Sequence, residues 1–240
     1  LLRASGRRLD TSKPFVDATL FEGSRLHVVI PNVVREHPSL NIRKFQKKRL
    51  TLDSLVSSKA LRAEQSTKLK IAIRDRKSIV ISGATHSGKT TLLTACLNEF
   101  DEQERLISVE DTFELHCQVE DWVALQTRED FAVGGTLVDL RRLIRESLRM
   151  RPTRLAVGEV RGAEAAELLV ALNSGVPAYL TIRANSAASA FEKLVALSLN
   201  AGENISERFA RATFASSIGL SVHCERLGST RSVTELVEHG

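Results

Sequence analysis

Apolar and polar positions follow two different periods along the chain, and each change of period marks a predicted element. From residue 78 onward, short apolar runs predict six buried strands, at 79–83, 106–110, 122–127, 155–160, 179–183 and 220–225. Apolar residues spaced three or four apart predict the helices between them, at about 89–100, 136–150, 163–174, 186–200 and 206–217. This alternation is typical of an α/β fold with an open, mostly parallel sheet, in which 232–238 is the expected edge strand.

The first 76 residues have a different pattern. Alternating apolar positions predict three short strands, at 15–20, 25–31 and 41–45. A basic stretch at 46–49 predicts a linker, and the apolar spacing over 51–74 predicts helix. These boundaries divide the chain into a partial α+β domain, a linker with a helix, and an α/β domain, at 1–46, 47–76 and 77–240.

The composition narrows the class of protein. Of 240 residues, 42% are hydrophobic and 26% charged, and no apolar run approaches the ~18 residues that a bilayer span needs. Three cysteines without a CxxC pair favour a reducing compartment, so we expect a cytoplasmic protein. A net charge of +5 could favour binding to nucleic acid or to an anionic membrane surface. Aromatic residues make up only 5% and are not interleaved with basic ones, so we expect no specific nucleic-acid partner.

A complete GxxxxGK[ST] phosphate-binding loop spans residues 83–90, between an apolar run and a predicted helix. In that context the backbone N–H groups of the loop are expected to surround the phosphates of a nucleotide. Lys89 would reach the β- and γ-phosphates, and the hydroxyl of Thr90 would bind Mg²⁺. The nucleotide-binding candidates are Gly83, Ala84, Thr85, His86, Ser87, Gly88, Lys89, Thr90 and Thr91.

Two predicted strands end in carboxylates. One strand ends in Glu110 followed by Asp111, and another ends in Glu159. Ligands in open α/β sheets bind at the carboxyl ends of the strands, so both acids are expected beside the phosphate loop. One could hold a Mg²⁺-bound water, the role we give Glu159, and one could orient or deprotonate the attacking water. Glu110 and Glu159 are therefore candidate catalytic residues.

A row of arginines occupies one face of the helix predicted over 136–150. Arg141, Arg145 and Arg149 recur every four residues, opposite an apolar face. Such a row is a solvated face, a subunit interface or a contact with the γ-phosphate of a nucleotide, and the sequence leaves these alternatives open. Arg145 is retained as a catalytic candidate.

In combination, these motifs resemble the type II/IV secretion and pilus-assembly traffic ATPases, with most similarity to the CpaF-like branch of tight-adherence pili. Residues 83–90 resemble the Walker A motif, 109–115 the aspartate box, and 148–152 with 157–162 the Walker B motif that ends in glutamate. The resemblance implies a RecA-like P-loop ATPase core and a small PAS-like N-terminal domain, with nucleotide between them. Arg43 lies in a segment similar to the one that ends that N-terminal domain, and is a further catalytic candidate.

The same resemblance implies a motor that hydrolyses ATP with Mg²⁺. It further implies a homo-oligomer, a hexameric ring, that docks on an inner-membrane platform protein at the inner face of the cell membrane. A nucleic-acid translocase on a RecA-like core is a further alternative that only the basic pI supports, and salt-dependent DNA binding would favour it.

The chain departs from the family pattern in three ways, and two of these departures, at Val176 with Arg183 and at His86, favour a different class, a degenerate ATP-binding subunit that serves assembly or regulation. Val176 and Arg183 occupy positions where the family's histidine box has histidines. His86 replaces a usual glycine of the phosphate loop. In addition, the chain is expected to begin partway into the N-terminal domain. Intact Lys89, Thr90, Glu110 and Glu159 favour the motor.

Overall fold

The computed structural model describes residues 8–20, 23–44, 50–128, 137–201 and 204–239. The expected linker at 46–49 and the start of the predicted helix at 136–150 lie outside these ranges. In the described part the strands are β1 (Phe15–Thr19), β2 (Arg25–Val29), β3 (Ser39–Arg43), β4 (Ser78–Gly83), β5 (Arg105–Glu110), β6 (Asp121–Gln126), β7 (Arg154–Val160), β8 (Ala178–Ile182), β9 (Ile218–Leu227) and β10 (Thr230–Glu238). The helices are α1 (Leu52–Ser57), α2 (Ala63–Arg74), α3 (Lys89–Leu97), α4 (Leu140–Leu148), α5 (Glu164–Asn173), α6 (Ala187–Leu199) and α7 (Glu207–Ser217).

The first three strands form a small antiparallel sheet in the order β1-β2-β3. Leu26 lies opposite Ala18 on one side and Ile42 on the other, so these three side chains share the apolar face of this sheet. Leu26 is fully buried there, whereas Ile42 on the edge strand is 47% exposed.

The large sheet has the order β10-β9-β4-β8-β7-β5-β6. Every pairing is parallel except that of β10 with β9, and β10 lies at the edge. The mostly parallel α/β sheet and its edge strand over 232–238 are therefore confirmed. Because parallel strands end on the same side, the ends of β4, β5 and β7 form one rim of the sheet.

Helices cover both faces of the large sheet. Along β4, Ile79 and Ile81 belong to an apolar cluster with α1, α2 and α3, while Val80 points into a cluster with α4 to α7. A strand covered on both faces has a continuous apolar sequence, which is the run that the sequence shows at β4. None of the described helices is long and apolar enough to cross a membrane.

The helical region expected over 51–74 is two helices rather than one. α1 ends at Ser57, and Lys59 adopts a left-handed φ of 60°. The amides of Ala60 and Leu61 both bond to the carbonyl oxygen of Leu55, which closes the helix end and reverses the chain. Leu52 and Leu69 from the two helices then pack in the same apolar cluster.

Candidate nucleotide-binding site

The phosphate loop connects β4 to α3, as the sequence predicted. Gly83 ends the strand at φ 145°, and a Cβ there would lie 2.3 Å from the carbonyl oxygen of Cys224 on β9. Gly88 is the N-cap of α3 at φ 103°. Both positions therefore require glycine, the first by close packing and the second by its backbone conformation. The loop's N–H groups and the start of α3 form a cradle of the kind that binds phosphate.

His86 lies in this loop with a left-handed φ of 62°. Its carbonyl oxygen accepts a hydrogen bond of 2.9 Å from Nε of Arg231, at the start of β10. The Arg231 side chain also lies close to Gly88, since its Cδ is 3.5 Å from the position of a Cβ there. The β9–β10 hairpin thus contacts the phosphate loop at His86, the position where the loop has a non-glycine residue with a strained backbone conformation.

Lys89 is the first residue of α3 and is only 7% exposed. Its ammonium Nζ donates to the carbonyl oxygen of Ala84 at 2.8 Å, across the loop. Burial lowers the pKa of Lys89. Ser87 Oγ is also buried, with no hydrogen-bond partner among the described residues. A buried ammonium group and an unpaired buried hydroxyl at the N-terminus of a helix fit the phosphates of a nucleotide.

The remaining loop candidates follow from the same turn. Ala84 and Thr85 connect Gly83 to His86, and Thr90 and Thr91 form the first turn of α3 beside Lys89. The carbonyl oxygen of Thr90 accepts a 2.8 Å bond from the Thr94 hydroxyl, which is ordinary helix geometry.

Glu159 lies near the end of β7 and its carboxylate is held by two arginines. Oε1 accepts from Nε of Arg183 at 3.0 Å, and Oε2 accepts from Arg161 at 2.5 Å. Arg161 also pairs with Asp111 at 3.0 Å. Burial favours the neutral acid, but the charges of Arg161 and Arg183 outweigh it, so the pKa of Glu159 lies below its ordinary value. The carboxylate is therefore ionised, and each of its oxygens is paired with the guanidinium group of an arginine.

Glu110, at the end of β5, is in a different environment. It is 2% exposed, and its Oε2 accepts from the backbone N–H groups of Glu114 at 2.7 Å and Leu115 at 2.9 Å. Its Oε1 has no hydrogen-bond partner in the described part of the chain. Burial raises the pKa of Glu110 to about 7, although the two N–H groups oppose the shift. A carboxyl group with a pKa near neutrality can accept and return a proton.

Glu110 and Glu159 lie at the same rim of the sheet. Gly158 precedes Glu159 on β7, and a Cβ there would be 3.1 Å from Cγ of Glu110. The glycine of the Val-Gly-Glu sequence thus leaves the space that the Glu110 side chain fills.

The two arginine candidates have other partners. Arg43, at the end of β3, pairs with Glu114 at 3.4 Å. Arg145 on α4 donates to Oε1 of Glu167 on α5 at 2.5 Å, and Arg141 donates to the same oxygen at 3.0 Å. Part of the arginine row therefore bridges two helices, and the catalytic role of Arg43 and Arg145 stays a prediction.

Sequence reasoning missed Arg25 and Arg231 as contributors to this region, and it placed Glu114 in the segment resembling the aspartate box without predicting its contacts. Arg25 on β2 forms an ion pair with Glu114, and the two residues are 89 positions apart. No local pattern marks such contacts. For Arg183 a signal did exist, because it follows β8, whose neighbour β7 ends near Glu159.

Comparison with known proteins identifies the family. A family model described as type II/IV secretion system protein matches residues 3–227. The conjugal transfer protein TrbB of Rhizobium radiobacter is 35% identical over 233 residues, which cover 95% of this chain and 68% of TrbB. A type IV secretion system protein VirB11 of Bartonella quintana is 28% identical over 269 aligned residues, covering 97% of this chain and 75% of VirB11.

Solved structures agree in fold. The VirB11 ATPase of the Brucella suis type IV secretion system, solved with sulphate, superimposes with a TM-score of 0.63 at 26% identity, covering 98% of this chain and 79% of that one. The pilus retraction motor PilT with bound ADP gives a TM-score of 0.68 at 19% identity, covering 94% and 63%. These neighbours confirm a RecA-like α/β core. With the strand–loop–helix cradle and the two rim carboxylates, the comparisons show that the chain belongs to the type II/IV secretion traffic ATPase superfamily.

Proposed function

We propose that the chain is an ATP-hydrolysing subunit of a type II/IV secretion or pilus-assembly system. The observation that carries this proposal is the phosphate loop, with Lys89 buried inside it, at the sheet rim where Glu110 ends β5 and Glu159 lies next to the last residue of β7. Family membership supplies the reaction class, since the VirB11 neighbour is an ATPase.

The residues at this rim fit ATP and Mg²⁺. The N–H groups of the loop and Lys89 would hold the phosphates, while Thr90 and Glu159, the latter through water, would hold the metal ion. When bound, Mg²⁺ would neutralise the negative charge that develops on the phosphate oxygens during hydrolysis. The described residues contain no cluster of three or more His, Cys, Asp or Glu side chains able to hold a metal by themselves.

The chain's own groups then have separable tasks. Lys89 exchanges the Ala84 carbonyl for a phosphate oxygen, which is the stronger partner for an ammonium. Glu110 has a free oxygen and a pKa of about 7, which suits it to take a proton from water. Glu159 can act only after at least one of its arginines has moved.

The ion pair between Glu159 and Arg183 favours a second candidate, an ATP-binding subunit with little turnover that serves assembly or regulation. The strained His86 in the loop favours it too. Both candidates bind ATP at the same place and differ only in the rate of the chemical step.

As part of the proposal, the chain is a protomer of a hexameric ring. The ring docks on an inner-membrane platform protein at the cytoplasmic face of the cell membrane and requires no specific nucleic acid. The support is membership of the superfamily. The tight-adherence branch stays a prediction, because the relatives described above are conjugal transfer and type IV secretion proteins.

The test combines calorimetry with phosphate release on the purified protein. Lys89→Ala removes the charge aimed at the phosphates, so we expect ATP binding at least about tenfold weaker, or about 1.4 kcal/mol. Hydrolysis above that of Lys89→Ala supports the motor, and tight binding without hydrolysis supports the second candidate. Equal affinity and equal hydrolysis in both proteins contradict the proposal, and salt-sensitive stimulation by DNA would favour a translocase instead.

A further inference from the structure

The segment that follows β5 is fixed from two sides by charged groups. On the large-sheet side, Oε2 of Glu110 accepts the backbone N–H groups of Glu114 and Leu115. The amide of Phe113 is fixed as well, since it donates to Oε1 of Gln126 at 3.0 Å. The two bonds to the Glu110 carboxyl are about twice as strong when that group is ionised as when it is neutral. The conformation of residues 113–115 and the position of the Glu110 carboxylate are therefore coupled.

On the other side, the small sheet holds the same segment through its side chains. The Glu114 carboxylate pairs with Arg25 on β2 through Oε1 and with Arg43 on β3 through Oε2 at 3.4 Å. The hydroxyl of Thr19 on β1 lies 3.5 Å from the carbonyl oxygen of Phe113. All three strands of the small sheet thus contact this segment.

We propose that Glu114 is a positioning residue through which the small sheet sets the placement of the Glu110 carboxyl. The inference rests on the proposed function for its catalytic consequence. The contacts that support the inference run from Arg25 to the Glu114 side chain, and from the Glu114 backbone amide to the Glu110 carboxyl. A shift of the small sheet pulls on Glu114 and withdraws an N–H donor from the Glu110 carboxylate.

The two arginines contribute unequally. The Arg25 side chain is 31% exposed and the Arg43 side chain 53%, and Arg43 is the more distant from Glu114. Exposed, loosely spaced ion pairs contribute little, so Arg25 carries most of the coupling. Arg25 also pairs with Asp17 at 3.4 Å, which provides a matched control on the same side chain.

The first experiment measures amide hydrogen exchange of Glu114 and Leu115 by NMR, in the full chain without nucleotide. We expect Arg25→Gln and Glu114→Gln each to speed exchange of these amides about tenfold or more, because an N–H that loses its hydrogen-bond acceptor opens more often. Asp17→Asn should leave both amides within about threefold of the parent, and Arg25→Gln/Glu114→Gln should add little to either single change. Unchanged amides of Val80 and Ile81 in β4 show that each variant is folded.

Unaltered exchange at Glu114 and Leu115 in both folded variants overturns the inference. A second readout concerns turnover. Glu114→Gln should lower kcat about tenfold or more while ATP affinity stays within about threefold, because Glu110 is displaced and the phosphate loop is not. If exchange rises and kcat does not fall, Glu114 fixes the segment without positioning Glu110 for catalysis, and the inference fails. If the parent protein hydrolyses no ATP, the proposed function fails and the exchange data still decide the coupling.

Discussion

Arg231 donates its Nε–H to the carbonyl oxygen of His86 across 2.9 Å, so the β9–β10 hairpin is fastened to the phosphate loop. The loop carries a non-glycine residue at φ 62° at this point, a conformation that costs about 1 kcal/mol or more. The hydrogen bond holds that conformation in place from a part of the chain 145 residues away.

Loss of this support should weaken nucleotide binding. Arg231→Ala frees the His86 carbonyl, so the loop samples conformations in which its N–H groups no longer converge. We expect ATP affinity by calorimetry to fall about tenfold, the equivalent of one hydrogen bond to a charged group. Arg226 is the matched control, since it lies on the same hairpin and donates to the Gly228 carbonyl at 2.8 Å instead of to the loop. Equal ATP affinities of Arg231→Ala and Arg226→Ala would show that the hydrogen bond from Arg231 to His86 does not support nucleotide binding.

Arg183 should slow the enzyme by occupying Oε1 of Glu159. An arginine stays charged and only donates, whereas a histidine near neutral pH can lose its proton and accept. We expect parent turnover below the ~1 s⁻¹ low end of ordinary enzymes. Arg183→His, alone or with His86→Gly, should raise kcat roughly tenfold in a phosphate-release assay.

The control for that change is Arg74→His, because Arg74 on α2 is 75% exposed and pairs with the adjacent Asp75 at 3.1 Å, outside the nucleotide-binding motifs. It should leave kcat unchanged. Parent turnover well above that range, or no gain in either Arg183 variant, contradicts the role given to Arg183.

Glu159→Gln should separate catalysis from binding. The amide keeps the size of the side chain, but it removes the charge that Arg161 and Arg183 share and the ability to act on water. We expect kcat to fall by roughly 10²-fold or more, with ATP retained on the protein. Glu192→Gln, an exposed glutamate paired with Arg211, is the control. A Glu159→Gln variant that turns over at the parent rate leaves Glu110 as the stronger candidate base.

Glu110 should give the protein a pH-dependent stability. Its folded pKa of about 7 lies above the ordinary value of 4.5, so the folded state binds an extra proton between these two pH values. The parent therefore loses stability as pH rises through this window, by up to about 3 kcal/mol, and the difference is constant above pH ~7. Glu110→Gln keeps an acceptor for the two backbone N–H groups and removes the titration.

The measurement is denaturant unfolding of both proteins at several pH values between about 5 and 8. The stability of Glu110→Gln relative to the parent should rise with pH and then level off. A difference that does not change with pH means that Glu110 titrates normally.

Local patterns were enough for most of the elements. The buried strands of the large sheet have continuous apolar runs, and the helices have spacing of three to four, so residues 79–83 and 163–174 were placed within one residue of β4 and α5. The reversal after α1 was missed, because it depends on the left-handed Lys59 and on Leu52 and Leu69 packing together. The apolar spacing on both sides of such a turn is compatible with one continuous helix.

By itself, the sequence determined the α/β class, the phosphate loop and the acids at or near the ends of β5 and β7. These features depend on residues that are close together in sequence, and their periodicity and spacing follow from backbone geometry. The tertiary structure decided which partners each charge has. Glu159 pairs with Arg183, and Arg161 pairs with Asp111, because β5, β7 and β8 are separate in sequence but end at the same rim. An ion pair forms where folding brings two oppositely charged side chains close together. For residues far apart in sequence, no pattern of neighbouring residues specifies this proximity.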